Sequence, residues 1–290
     1  MSEPGAAGPG ADALVRQALA FRNAGADGKA IELLKQALAA QPDHLTAQIQ
    51  LGATYIDQNK VAPALEVLTA ASQQAPNSEI VRRLTALCWL SKSVLPKARE
   101  EAEEAVRLDP ADGISHTILG RVMLRQQLWR DAEAELRKGA ELAPSITYGL
   151  IHFGYFLLSR PGRLTEAAEV AEAAGRVAPD EFGVLLLRGD VALKLGRSEE
   201  AKDFALWALS QRATSREAIR LLVSVKARQS WWLGLWWRLN SSIWLRLALV
   251  AVFIPFGLWL VPAVYMIAGR VIFQRMIEHE LRTVKLKPGF

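Results

Sequence analysis

Residues 51–78 read LGATYIDQNKVAPALEVLTAASQQAPNS, and their spacing fits two short helices folded against each other. Leu51, Gly52 and Tyr55 fall on one face of a first helix that ends near Asn59-Lys60. Ala64, Leu68 and Ala71 form the seam of a second, which stops at Pro76-Asn77-Ser78. Gly52 and Ala64 carry little or no side chain, so the helices can approach closely, and Ala71 does the same for the next pair. Tyr55 and Leu68 fill the wider gaps. Pro76 lacks the N–H needed to continue the helix.

The pattern recurs on both sides. Ala64, Ala71 and Pro76 return as Ala98, Ala105 and Pro110, then as Ala132, Gly139 and Pro144. Pro42, Pro76, Pro110, Pro144 and Pro179 follow one another at steps of 34 or 35 residues. A period of that length implies a stacked solenoid, because one helix pair cannot bury its apolar face alone. In this frame the units are 11–44, 45–78, 79–112, 113–146, 147–181 and 182–215. The fifth has one extra residue, placed in the turn Ser159-Arg160-Pro161-Gly162. The sixth has Ala213 where proline would stand, so its second helix is expected to run on or turn differently. The amphipathic stretch after it (Ile219, Leu222, Val223) suggests a capping helix over 216–228.

These anchors resemble the tetratricopeptide repeat (TPR), whose pattern places Leu-Gly, an aromatic, Ala, an aromatic or Leu, Ala and Pro at the same intervals. The resemblance covers residues 11–228 and implies an all-α, right-handed superhelix of about six helix pairs. It also implies that the first helices line a concave groove. The groove places hold Arg22, Asn23, Ile49 and Asp57 in the first two units, then Arg83, Leu87, Thr117, Arg121 and Arg125. Tyr148, Ile151 and Tyr155 follow in the fifth unit, and Asp190 and Lys194 in the sixth. Arginine forks suit carboxylates and tyrosines offer rigid contact area, so a protein or peptide partner with acidic and apolar residues is expected there. Chaperone-binding relatives use a Lys-Asn arrangement in the first unit; Val15 and Leu19 occupy those places here.

The net charge of +5 is unevenly spread. Residues 1–225 hold 26 Lys/Arg against 28 Asp/Glu, whereas residues 226–290 hold 9 against 2. The excess flanks apolar sequence, which favours a membrane partner over nucleic acid. Residues 1–10 are a Gly/Ala/Pro lead-in, read as disordered, without the basic and apolar regions of a signal peptide. Trp231, Trp232, Trp236, Trp237 and Trp244 make the segment 229–246 suited to a bilayer interface. Leu247–Gly269 is uncharged over 23 residues, enough to cross the hydrocarbon core, and 270–290 is a basic tail. Basic residues on both flanks leave two topologies open: a single span, or a hairpin bent near Pro255 and Pro262.

Residues for catalysis are lacking. His44, His116, His152 and His279 have no second ligand at metal spacing, and no nucleophile elbow or phosphate loop occurs. Cys88 lies in an apolar helical stretch, and a single cysteine excludes an internal disulfide. The expectation is therefore a non-enzymatic scaffold without cofactor or metal, held at a bacterial inner membrane with its array in the cytoplasm. The alternative is a transport or secretion subunit whose membrane segment makes the specific contacts.

Overall fold

A computed structural model describes residues 10–229 together with Val271, Ile272 and Arg275. Among the described residues there are thirteen α-helices and no strand, stacked as a helical-repeat solenoid. They run in pairs: α1 (Ala11–Asn23) with α2 (Asp27–Ala40), α3 (Leu45–Asp57) with α4 (Val61–Gln74), and α5 (Glu79–Ser91) with α6 (Leu95–Leu108). Next come α7 (Gly113–Arg125) with α8 (Trp129–Leu142), α9 (Thr147–Leu158) with α10 (Leu164–Val177), and α11 (Phe182–Leu195) with α12 (Ser198–Gln211). The last described helix is α13 (Arg216–Gln229). The chain divides into two compact units, Met1–His152 and Phe153–Phe290. The lead-in, the Trp-rich segment with its five interfacial tryptophans, the proposed span 247–269 and the basic tail lie outside the described residues, save Gly10 and the three at 271, 272 and 275. Among the described residues no helix is long and apolar enough to cross a membrane.

One turn geometry joins the two helices of a pair. Gly25, Asn59, Ser93, Gln127, Gly162 and Gly196 all have φ between 57° and 88°. In five of these turns the following residue donates its N–H back into the first helix, as from Lys60 to Tyr55 O (2.8 Å) and from Leu128 to Met123 O (2.9 Å), whereas after Gly162 the Arg163 N–H reaches only Arg160 O (3.4 Å) within the longer connection. A left-handed residue is needed there, and glycine takes it without strain. Exposed Gln127, at φ 65°, bears the side-chain penalty. Gln127→Gly should raise stability by about 0.5–1 kcal/mol in chemical denaturation, since the strain relieved exceeds the entropy lost at this site.

Between pairs the chain extends before each proline: Asp109 has φ −136° and ψ 92°. Arg212 keeps φ −137° and ψ 81° although Ala213 replaces proline, so α12 stops at Gln211 and does not run on. The fifth unit's extra residue is taken up in the connection 159–163. First helices start on side-chain caps where the sequence supplies them: His44, Ser78 and Asp112 accept from backbone N–H groups of the first turn.

A strap links successive pairs. Gln48 Nε2, Arg82 Nε and His116 Nε2, at the same place in α3, α5 and α7, donate to the carbonyls of Pro42 (2.9 Å), Pro76 (3.1 Å) and Pro110 (3.0 Å). Arg82 also pairs with Glu101 and His116 Nδ1 with Glu135 at 2.6 Å, both acids sitting at one place of their second helix. Val67 holds that place after Gln48, whose Oε1 is left without a partner among the described residues. His116 is thus a buried structural histidine.

The cores are narrow and alanine-rich. In the first unit Leu14, Val15, Leu34, Leu51, Tyr55, Leu68 and Cys88 form one cluster, and Ala86, Leu90, Ala98, Ile118, Val122 and Ala132 another. Burial pushes the Cys88 thiol up to about 12, so it is packed and inert. The closest approach lies between α7 and α8. A Cβ on Gly139 would meet Thr117 Oγ1 and stand 2.7 Å from the Gly113 carbonyl oxygen. In the second unit Leu185, Ala192, Phe204, Ala208, Ile219 and Val223 share the core.

Candidate functional site

Within the first unit, successive first helices touch one another, α1 with α3, α3 with α5 and α5 with α7. Their shared face carries most of the residues expected from the sequence, and the structure sorts them by what they already hold. Arg83 Nη1 donates to Asp112 Oδ2 at 2.7 Å, with the two side chains only 20% and 14% exposed. Asp112 also caps α7, accepting from Ile114 N and Ser115 N, both at 3.1 Å. Burial raises the Asp112 carboxyl, but hydrogen bonds from Ser115 and Arg83 outweigh it and hold the group below its ordinary value. Arg83 is therefore committed to the fold.

Thr117 leaves the candidate face. It is 0% exposed, donates to Gly113 O at 2.8 Å, and packs into the α7–α8 seam against Gly139. The sequence places it at a groove position, but the close approach permitted by Gly113 and Gly139 draws that side of α7 into contact.

Arg121 and Arg125 lie one turn apart on α7. Arg121 Nη1 donates to the Tyr148 hydroxyl, and its guanidinium stands 5.7 Å from the Tyr148 ring centroid. Arg125 Nη2 donates to Ser93 Oγ at 2.9 Å. Both hydrogen-bond partners are neutral hydroxyls, so the two positive charges stay uncompensated by a carboxylate in these contacts. Leu87 and Tyr148 pack half-buried against the neighbouring core cluster, and Ile151 is half-buried on α9. Burial raises the Tyr148 hydroxyl despite Arg121 beside it, so it stays a neutral donor and acceptor.

His152 completes this group and was not singled out by the groove positions. Its ring meets Tyr148 edge-on, with centroids 4.6 Å apart and planes at 77°. Burial, aided by the positive charge of Arg121, pushes it down from 6.5 to about 3. The ring is neutral at physiological pH and offers an aromatic edge. Its four-residue spacing from Tyr148 on one helix was the available signal. The unfolded chain takes up a proton near pH 6.5 that the folded ring refuses. Stability is therefore full above that pH and falls as pH drops toward 3, at most by about 1.4 kcal/mol per pH unit from this group. Denaturant titrations between pH 7 and 5 should show a shallower decline for His152→Phe.

Tyr155 belongs to the second unit, where its hydroxyl donates to Asp190 Oδ2 at 3.3 Å. Burial raises both groups. Lys194 Nζ caps the end of α9 through Leu158 O at 3.0 Å. Arg22, of the first unit, is engaged by Asp57 at 2.8 Å and Gln50 at 2.9 Å. Among the described residues no group of three or more His, Cys, Asp or Glu could hold a metal ion.

The geometry is thus a series of short antiparallel helix pairs, closely packed through small residues, with side chains displayed along the first helices. Residues 24–88 and 157–215 each match a family profile described as Tetratricopeptide repeat. These two stretches carry tetratricopeptide repeats. Solved structures share the fold at low identity. A thermophilic TPR protein of Thermus thermophilus is 21% identical at TM-score 0.58, covering 63% of this chain and 99% of its own. PilF of Pseudomonas aeruginosa is 18% identical at TM-score 0.52, covering 72% of this chain and 94% of its own. The APC/C hetero-tetramer Cut9-Hcn1 matches at 12% identity and TM-score 0.62, over 74% of this chain but 43% of that one. No curated protein matches the chain. TPR domains mediate protein–protein interaction and bind peptide or protein segments in a groove, and the fold is typically a non-enzymatic scaffold.

Proposed function

We propose that the chain is a membrane-anchored scaffold that holds an acidic, apolar segment of a partner protein on the first-helix face of its first unit. The observation that carries the reading is the pair Arg121 and Arg125, held by the Tyr148 and Ser93 hydroxyls without a carboxylate partner among the described residues. Each keeps guanidinium donors for a carboxylate fork, Tyr148 supplies half-buried apolar contact beside Arg121, and Leu87 on α5 and Ile151 on α9 are half-buried at groove places of their own helices. The membrane part rests on the uncharged run Leu247–Gly269 and its basic flanks. In this proposal the array lies on the cytoplasmic side of a bacterial inner membrane.

The function is tested by replacing residues 247–269 with an unrelated apolar helix in the full chain. A scaffold should stay in the alkaline-washed membrane fraction and retain its partner, whereas Val252→Arg/Trp259→Arg should release it from the membrane. Loss of the partner with the unrelated helix, while membrane retention is kept, would contradict the scaffold reading.

A further inference from the structure

Arg188 of α11 breaks the repeat at a core place. Counted from the start of its pair it is the seventh residue, where three other pairs bury Leu51, Leu119 and Phe153. Gln17 and Thr85, also uncharged, take that place in the remaining two. The facing place on the preceding second helix departs as well: Gly175 of α10 stands where Leu38, Ser72, Val106 and Ala140 carry side chains. The two departures fit each other. A Cβ on Gly175 would meet Arg188 Cδ, Nε and Cζ at 3.1–3.2 Å, so the missing side chain leaves room for the arginine against α10. That side chain is only 21% exposed, and its guanidinium lies 4.4 Å from the Phe204 ring centroid. Nη2 reaches Glu172 Oε1 at 3.5 Å, a long contact, and Nε is buried without a partner among the described residues. A guanidinium so buried with its donors unmet is costly, and leucine at this place would avoid the cost.

Arg188 lines a groove of about 370 Å³ formed by α10, α11 and the start of α12, all within the second unit. Ala168, Val191 and Leu195 give it apolar walls. Glu172 and Glu200 also line it, but at 55% and 39% exposure they sit nearer the mouth than Arg188, so the positive charge lies deeper than the negative. Along α10 the lining runs from Thr165 to Arg176, about 16 Å at 1.5 Å per residue, which matches roughly five residues of extended chain. We propose that this groove is a further protein-binding site, which takes one acidic side chain of a partner segment onto Arg188, with small apolar residues on either side of it. The carboxylate supplies the acceptors that the guanidinium fork lacks, and the apolar neighbours rest on the walls. The glutamates at the mouth disfavour a phosphate, which brings a second negative charge. Glu172 competes with the incoming carboxylate for Arg188. None of these residues belongs to the first-helix face of the first unit.

The probe is the capped pentapeptide acetyl-Ala-Val-Glu-Ala-Ala-amide, added to the full chain carrying isotope-labelled arginine. It should shift the Arg188 Nε–H resonance saturably, that resonance being assigned by its absence from Arg188→Leu. The peptide with Gln in place of Glu should bind at least about tenfold more weakly, and butyrate, a free acid of similar chemistry, should do the same. Arg188→Leu restores the residue of the second and fourth pairs, so its urea midpoint should equal or exceed that of the unaltered chain while the peptide no longer binds. Glu172→Gln, a change at an exposed side chain, removes the competitor and should tighten peptide binding about twofold or more. Arg121→Glu/Arg125→Glu should leave peptide binding unchanged, so this groove and the first-helix face stand or fall separately. Equal binding of the Glu and Gln peptides, butyrate binding as tightly as the peptide, or no saturable shift with any probe would overturn the proposal. So would peptide binding that survives Arg188→Leu or weakens in Glu172→Gln.

Discussion

Replacing Gly139 with valine should lower the stability of the first unit by about 3 kcal/mol, the largest loss expected from any single change considered for this chain. The new Cβ would stand 2.7 Å from the Gly113 carbonyl oxygen and closer still to Thr117 Oγ1. Neither can give way cheaply. The carbonyl belongs to the first turn of α7, and Thr117 is buried with its hydroxyl donating to that same oxygen at 2.8 Å. A flexible neighbour would behave differently. Gly175 would meet the Arg188 side chain at 3.1–3.2 Å, and a long arginine can shift a few tenths of an ångström, so Gly175→Ala should cost far less. The check is urea unfolding followed by circular dichroism. Because repeats interact chiefly with their neighbours, the loss should appear in the transition that includes α7 and α8.

Reversing Arg121 and Arg125 to glutamate should weaken binding of an acidic, leucine-containing peptide by about tenfold or more, with little change in stability. The hydrogen bond of each arginine goes to a neutral hydroxyl, so its loss strands no buried charge there. A tenfold change corresponds to about 1.4 kcal/mol, which two lost ionic contacts and two new repulsions readily supply. The affinity of the unaltered chain should fall steeply as salt is raised. Arg83 must be kept out of the comparison. Arg83→Glu would face Asp112, breaking the cap of α7 and lowering stability, so weaker binding would say nothing about the groove.

The solenoid was legible because the residues that specify it repeat. Gly52, Ala64, Ala71 and Pro76 can each be explained locally, and small residues at the first three places in six units in register, with proline closing five of them, exclude coincidence. Irregular features were harder to read. Ala213 lacks the proline signal, yet Arg212 adopts the extended backbone that precedes proline elsewhere, because packing of α13 on α12 ends the helix there. The straps from Gln48, Arg82 and His116 to proline carbonyls use three chemically different side chains, so no residue pattern announces them.

The candidate face was legible by position and less so by role. Position alone puts Arg83, Thr117, Arg121 and Arg125 in one class. The structure separates them by their partners: a carboxylate at the start of α7 for Arg83, a glycine seam within its own pair for Thr117, a hydroxyl of the following pair for Arg121 and one in the preceding pair's turn for Arg125. Such partners lie some 30 residues away, where repeat register gives proximity but not pairing. His152 escaped because it sits between groove positions, and its pairing with Tyr148 became visible only with the rings in place.

The central claim concerns where the partner segment lies. A photo-crosslinking residue at Leu87, half-buried against the same core cluster as Tyr148, tests this in the full chain in its own membrane, with Glu100 on the exposed side of α6 as the comparison site. Adducts with one discrete protein should form from position 87, be absent from position 100, and vanish with Arg121→Glu/Arg125→Glu. The same adduct from both positions, or one from position 87 that survives the charge reversal, would contradict the claim that this face holds the partner.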